Sequence, residues 1–369
     1  MWEKRILNVV GARPNFMKIA PLMRSMQSKS ELKPLLVNTG QHYDYNMSAV
    51  FFKELGLPPP DYNLGIGSGS HAVQTAGVMV RFEELCLQLK PDAVLVVGDV
   101  NSTLACSLVA AKLNIPVGHV EAGLRSRDRS MPEEINRLVT DMLSIWLFTP
   151  SRDADENLSR EGVSSEKIFF VGNIMIDTLL YHRPQINQST AARNLGLMEG
   201  DAVIPYGLVT LHRPSNVDDP TVLRSVLNAL EEIQEDFHLI FPVHPRTHQN
   251  LEKFGLSERC RRMKRLKIIE PMGYIDFVSL ARFARFVLTD SGGLQEETTY
   301  LGVPCLTLRD NTERPVTVTI GTNELVKVEN VVERVQTIQA GQWKKGSIPP
   351  LWDGATAERI CEILIKVLG

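Results

Sequence analysis

Short apolar runs of strand length alternate with amphipathic stretches of helical spacing from one end of the chain to the other. This is the pattern of parallel α/β units, whose strands are buried on both faces. The runs predict strands at 6–10, 33–38, 93–97, 116–120, 146–149 and 167–171. A second series follows at 203–210, 238–243, 266–269, 286–289 and 305–308. Helices are expected between them, among them 222–234 and a stretch around 74–88 whose start is indistinct in the mixed polar sequence at Gln74 and Thr75. Each series reads as one doubly wound half, so two Rossmann-like parallel-sheet domains are expected, 1–172 and 173–355. The amphipathic end, 356–369, is expected to pack back on the first domain. Two such domains bind ligand where the C-terminal ends of their strands converge on a central cleft.

Composition narrows the class without naming a chemistry. At 369 residues the chain is about right for two cores, and 43% hydrophobic with 22% charged residues is ordinary for a globular protein. A net charge of -3 argues against nucleic-acid binding, which usually needs a basic face. Cys86, Cys106, Cys260, Cys305 and Cys361 form no CxxC pair and no metal-ligand spacing, and read as buried free thiols in a reducing cytosol. The apolar run after Met1-Trp-Glu-Lys-Arg5 is too short for a signal sequence, and no run approaches membrane-spanning length. A cytoplasmic protein with no membrane or nucleic-acid partner is expected.

The unusual polar residues fall just after the expected strands, where open α/β sheets build their sites. In Thr289-Asp-Ser-Gly-Gly-Leu-Gln-Glu-Glu297, glycines after a strand let backbone approach a ligand, and the following helix start offers N–H groups to an anion. Ser291, Gly292 and Gly293 are thus candidates for a diphosphate cradle, and Glu297 for accepting ribose hydroxyls. The competing reading is a tight turn with an acidic first helical turn. Arg13 and Lys18 follow the first strand, and Arg314 follows the strand at 305–308; cations near a helix start run against its dipole unless an anion answers them. Asp99, Glu121 and Glu133 are the acid–base candidates, set against ordinary roles as helix-start or turn carboxylates. His212 and His244 close two strands of the second half. Asp153 and Asp155 match a D-x-D metal pattern, but Ser151 ahead of them and Gly162 after them mark a helix, so no metal is expected.

In order along the chain, G-A-R-P-N-F-M-K-I-A-P, N-T-G-Q-H, V-V-G-D-V-N-S-T, H-V-E-A-G-L-R, P-E-E-I-N-R, G-N-I-M-I-D-T, T-L-H-R, P-V-H-P-R, T-D-S-G-G-L-Q-E-E and T-E-R-P resemble the non-hydrolysing UDP-N-acetylglucosamine 2-epimerase family. The resemblance implies the two-domain fold called glycosyltransferase-B, no cofactor, and a homodimer. It implies catalytic roles for Asp99, Glu121, Glu133 and His212. It implies UDP contacts from Arg13, Lys18, His244, Phe277, Ser291, Gly292, Gly293, Glu297 and Arg314, with Phe277 lining the uracil pocket. Asn15 departs from the glutamate common after Arg-Pro in the family, and the span from Glu121 to Glu133 is shorter than in many bacterial relatives.

The proton on carbon 2 of the sugar is barely acidic, because no carbonyl adjoins it. Departure of UDP from carbon 1 solves this by leaving a carbon 1–carbon 2 double bond. That step needs stabilised diphosphate charge, a base, and an acid for the return. Two rival readings share the UDP cradle: a glycosyltransferase, with an acceptor groove and fewer acids, and a non-catalytic nucleotide-sugar sensor, against which the three carboxylates speak. A 2-epimerase acting on a UDP-diacetamido uronic acid is the alternative substrate reading. Many bacterial relatives also hold a second, activating substrate molecule on a Gln-His-Arg-Gln run and a later arginine. Here Tyr43 and Asp44 follow Gln41 and His42, and 65–71 has no lysine or arginine, so loss of that site is expected unless Arg125, Arg127 or Arg129 compensates.

Overall fold

The computed structural model describes residues 3–40 and 54–369. They form two compact units, one made of 1–181 with 350–369, the other of 182–349. The first holds a parallel sheet of β1 (Lys4–Val10), β2 (Leu32–Asn38), β3 (Tyr62–Asn63), β4 (Ala93–Val97), β5 (Val117–Val120), β6 (Trp146–Thr149) and β7 (Ile168–Phe170), in the order β3-β2-β1-β4-β5-β6-β7. The second holds β10 (Tyr206–Thr210), β11 (His238–Pro242), β12 (Leu266–Ile269), β13 (Phe286–Thr289), β14 (Cys305–Leu308) and β15 (Asn323–Val326), in the order β12-β11-β10-β13-β14-β15. Each sheet is entirely parallel and reverses its winding once, between β1 and β4 and between β10 and β13. β4, β5, β6, β13 and β14 are buried at every residue, which explains why their sequences are largely apolar.

The run at 203–210 divides in two. Pro205 offers no N–H to a ladder; before it, β9 (Ala202–Val203) pairs antiparallel with β8 (Met198–Glu199), and after it β10 enters the main sheet. β15 escaped the sequence because its polar Asn323 and Glu324 break the apolar pattern. The helix expected near 74–88 spans His71–Leu89, started by Ser70, whose hydroxyl accepts the Val73 N–H at 3.3 Å.

The units divide after Tyr181 rather than after Gly172. The helix Ile174–Tyr181 stays with the first unit because it packs on the helix Arg13–Gln27, where the Thr178 hydroxyl donates to the Met17 carbonyl. The segment returning at 350–369 also lies on the first unit. Buried Asp177 accepts the Thr356 and Ala357 N–H groups at 3.2 and 2.8 Å, which caps the helix Thr356–Leu368, and that helix packs on Arg13–Gln27.

Candidate functional site

In the first unit the winding reverses between β1 and β4, where doubly wound sheets leave a crevice at the strand ends. β1 runs through Gly11 and Ala12 into the helix Arg13–Gln27; Arg13 is its first residue, and the Arg13 side chain lies outside the described residues. Buried Asn15 accepts the Ala12 N–H at 2.9 Å and donates to the Val97 carbonyl at 2.9 Å. An ionised glutamate could only accept, so the amide at this departure from the family pattern ties the β1 turn to the end of β4.

Lys18 is buried, and its ammonium pairs with Glu121 Oε2. The anion answering this cation is therefore the protein's own carboxylate. Gly98 sits against both: its φ is +68°, and a Cβ there would approach Lys18 Nζ to 3.2 Å, Asn15 Nδ2 to 3.3 Å and Glu121 Oε2 to 3.5 Å. Glu121 itself has φ +72°, a left-handed conformation costing on the order of 1 kcal/mol in a non-glycine residue. It is held because the Glu121 and Ala122 N–H groups both donate to the Phe148 carbonyl, each at 3.1 Å.

Asp99 follows β4, part-exposed, and pairs with the buried guanidinium of Arg137. Arg137 also binds Glu134 Oε2 at 2.6 Å, and Glu134 accepts the Ser126 and Arg127 N–H groups, each at 2.9 Å. Burial would push the Glu134 carboxyl up, but Arg137 and these N–H groups outweigh it and hold it below its usual range. Of the two glutamates that open the helix Pro132–Leu143, Glu134 is thus the inward one that shapes the loop, while Glu133 is exposed in the first turn.

Under this floor lies a second buried network. His119 on β5 donates from Nε2 to the Gly98 carbonyl at 2.8 Å and meets Asp141 Oδ1 through Nδ1 at 2.6 Å. Asp141 Oδ2 accepts from Arg125 Nη1 at 2.7 Å, and Arg125 also grips Glu161 at 2.8 and 2.6 Å. Arg125 is thereby committed to the interior, and Arg127 binds Asn157 at 2.8 Å. Positions 41–44 lie outside the described residues.

In the second unit the reversal lies between β10 and β13, and the two segments that follow these strands are joined. His212 and Arg213 follow β10; Asp290 follows β13 and is fully buried. Its carboxylate accepts the N–H groups of His212 (2.9 Å) and Arg213 (2.8 Å) and the Asn216 amide (3.0 Å), and meets His212 Nδ1 at 2.9 Å. Burial alone would push Asp290 up; these donors overcome it and hold the carboxyl below its usual range. The His244 ring lies beside His212 with centroids 5.5 Å apart, and its Nδ1 accepts the Arg246 N–H at 3.2 Å at the start of the helix Pro245–Lys253.

Ser291 precedes the helix Gly292–Leu301. A Cβ on Gly292 would lie 2.5 Å from Glu313 Oε1 and 2.8 Å from Arg314 Nη1, whereas a Cβ on Gly293 would meet nothing within 4 Å. Arg314 is buried and already paired, through Nε with Glu296 Oε1 at 2.9 Å and through Nη1 with Glu313, so its charge is matched inside the protein. Glu297 is buried with Oε1 lacking a hydrogen-bond partner in the protein, and burial, against a hydrogen bond from Tyr274, pushes its carboxyl up to about 7. Phe277 is half-buried on the helix Tyr274–Phe283. A cavity of about 360 Å³ opens at the ends of β11 and β12, with a mixed lining that includes Val243, Pro245, His248, Gln249, Glu270 and Pro271. Among the described residues, no cluster of histidine, cysteine, aspartate or glutamate is arranged to hold a metal. Ser151 precedes the helix Arg152–Arg160, but its hydroxyl caps no backbone N–H there.

Sequence reasoning overlooked Asp290, Arg137, Glu134, His119 and Asp141. The rule that selected Asp99 and Glu121, a carboxylate right after a buried strand, also selects Asp290. The others announce themselves only once tertiary partners are known.

Comparisons with known proteins bear on the family and the fold. The sequence profile described as UDP-N-acetylglucosamine 2-epimerase matches residues 24–365. UDP-N-acetylglucosamine 2-epimerase of Methanocaldococcus jannaschii is 44% identical over 96% of this chain and 97% of that protein. UDP-2,3-diacetamido-2,3-dideoxy-D-glucuronate 2-epimerase of Pseudomonas aeruginosa is 41% identical over 98% of this chain and 100% of that protein. The crystal structure of the Methanocaldococcus jannaschii enzyme in complex with UDP-GlcNAc and UDP superposes with a TM-score of 0.88 at 43% identity, covering 98% of this chain and 99% of that one. The fold is of the glycosyltransferase-B type, and the chain belongs to the UDP-N-acetylglucosamine 2-epimerase family.

Proposed function

We propose that this protein inverts carbon 2 of UDP-N-acetylglucosamine, giving UDP-N-acetylmannosamine by elimination and re-addition of UDP. The observation that carries the reading is the joining of His212 to the Ser291–Gly293 helix start through Asp290 at one winding reversal, in a chain of this family. The diphosphate is assigned to the N–H groups of Ser291, Gly292 and Gly293, with Arg13, Lys18, His244 and Arg314 as further contacts. The uracil is assigned to the half-buried Phe277 and its apolar surroundings, and the ribose to Glu297. Asp99, Glu121, Glu133 and His212 are assigned the proton transfers. In the elimination the carbon 2 proton passes to a base, its electrons form the carbon 1–carbon 2 double bond, and the carbon 1–oxygen bond breaks toward the phosphate. Re-addition with a proton delivered to the opposite face gives the epimer.

The proposal extends to a homodimer in the cytoplasm. The helix His71–Leu89 exposes Val73, Val80 and Leu87, and the helix Pro132–Leu143 exposes Ile135, Val139 and Met142; the helix Asn101–Lys112 packs against both. Stripes of this kind on neighbouring helices suit a self-complementary contact. The five buried free thiols suit a reducing compartment.

The Pseudomonas aeruginosa relative favours a second reading, in which the sugar is a 2,3-diacetamido uronic acid. One experiment tests both: the protein is incubated with UDP-N-acetylglucosamine alone in heavy water and followed by NMR. Conversion to the manno epimer with deuterium at carbon 2 and little free UDP is expected. Turnover of only the diacetamido uronic acid would move the reading to the second substrate. Stoichiometric UDP and free sugar would refute both.

A further inference from the structure

We propose that Asp290 is a positioning residue that fixes the proton of His212 on Nδ1, so that Nε2 is the atom that takes and returns a proton; this rests on the reading of His212 as an acid–base group. A carboxylate can only accept hydrogen bonds. Asp290 Oδ1 lies 2.9 Å from His212 Nδ1, so the hydrogen on that contact belongs to the ring. Oδ2 is occupied by the His212 N–H at 2.9 Å, the Arg213 N–H at 2.8 Å and the Asn216 amide at 3.0 Å, which leaves the carboxylate no freedom to turn. The ring therefore presents Nε2 bare when neutral. When Nε2 accepts a proton, the imidazolium that forms sits against a fully buried negative charge. Asp290 is also the residue before Ser291, so the proton-handling ring and the helix start assigned to the diphosphate are mounted on one anchor.

The Asp290→Asn variant separates orientation from bulk. The three donors around Oδ2 hold the amide oxygen there, which turns the amide NH₂ toward His212 Nδ1. That nitrogen must then accept, and the ring proton moves to Nε2. Turnover should fall on the order of 10⁴-fold, the scale of the loss when a catalytic histidine is locked in its wrong tautomer. UDP affinity should stay within about threefold, because the backbone of the helix start is unchanged. Pairing with His212→Asn should add less than about threefold to the loss that His212→Asn causes alone, since residues acting as one unit are non-additive. Histidine ¹⁵N spectra, with the His212 signal identified by its disappearance in His212→Asn, give the direct readout: Nδ1 protonated in the wild type and bare in Asp290→Asn. A bare Nδ1 in the wild type would overturn the proposal even if the variant fails to fold. So would a folded Asp290→Asn with near wild-type turnover while His212→Asn is impaired. Wild-type turnover in His212→Asn would instead sink the underlying reading of His212, and the proposal with it.

Discussion

Gly292 and Gly293 are adjacent, share the first turn of one helix, and should respond to alanine in opposite ways. At Gly292 the new Cβ would lie 2.5 Å from Glu313 Oε1 and 2.8 Å from Arg314 Nη1, where ordinary contact begins near 3.4 Å. The buried Glu313–Arg314 pair must therefore retreat by roughly 1 Å, an overpacking that typically costs about 1–3 kcal/mol. At Gly293 the Cβ meets no protein atom within 4 Å, so nothing in the folded chain resists it. Replacing a helical glycine by alanine gains up to about 1 kcal/mol, enough to raise the melting temperature by ~2 °C in a chain of this size.

If that open space is where the diphosphate meets the backbone, the same methyl group blocks it. Each charge-assisted hydrogen bond lost costs about 1.5–3 kcal/mol, so UDP should bind about 10- to 100-fold more weakly. Calorimetric titration with UDP and thermal melting of both variants are the assay. Gly292→Ala should lose stability and affinity together; Gly293→Ala should lose affinity alone. A Gly293→Ala protein that binds UDP like the wild type would show that the glycine serves the turn and not the ligand.

Asp99→Asn, Glu121→Gln and Glu133→Gln should each lower turnover by roughly 10²-fold or more with far smaller changes in UDP affinity; Glu121→Gln should also melt lower, because it strips a buried partner from Lys18, whereas exposed Glu133→Gln should not. Glu297, with a folded value of about 7 against the usual 4.5, keeps a proton that the unfolded chain has lost, so its contribution turns unfavourable as pH rises from 4.5 through about 7. The deficit reaches up to about 3 kcal/mol in mild alkali, so Glu297→Gln should melt higher than the wild type at pH ~8, match it below pH ~5, and bind UDP more weakly. Initial rates should depend hyperbolically on UDP-N-acetylglucosamine, and the reverse reaction should start without it, given Tyr43 and Asp44 in the sequence and the commitment of Arg125 to Asp141 and Glu161. Sigmoidal rates would show that a second substrate site survives in another form.

The alternation of apolar runs located the strands of both large sheets except two, because parallel strands buried on two faces are made mostly of apolar residues. The two-residue edge strand β3, Tyr62–Asn63, is too short and too exposed to leave such a run. Nor could the alternation locate β15, whose Asn323 side chain bonds to Thr307 and Gln295 inside the sheet's polar edge, at 2.7 and 3.0 Å. The unit boundary escaped for a related reason: the helix Ile174–Tyr181 is claimed by contacts with residues far away in sequence. Position after a strand picked out the candidates Asp99, Glu121, His212 and Ser291, and the fold places each of them just beyond a strand end. Whether a charge faces ligand or protein was not legible. Lys18 and Arg314 read as free cations in the sequence, and each is answered by buried carboxylates in the fold.

That last difference bears on how a leaving diphosphate would be stabilised. Arg314 is matched by Glu296 and Glu313, with Arg309 bonded to Glu313 at 2.7 Å, so this buried cluster carries no net charge. Beside it, Asp290 is matched by His212 only when the ring is protonated. On the proposed reading the helix start therefore works mainly through oriented N–H groups and little through excess positive charge. Such dipoles are fixed before the carbon 1–oxygen bond begins to break, so they need little reorganisation as charge develops. A strong cation would bind UDP tightly in the ground state as well, and would slow the re-addition that an epimerase must complete. On that reading the open position at Gly293, which leaves the backbone donors accessible, together with a neutralised arginine nearby, suits an enzyme that must hold UDP loosely enough to give it back.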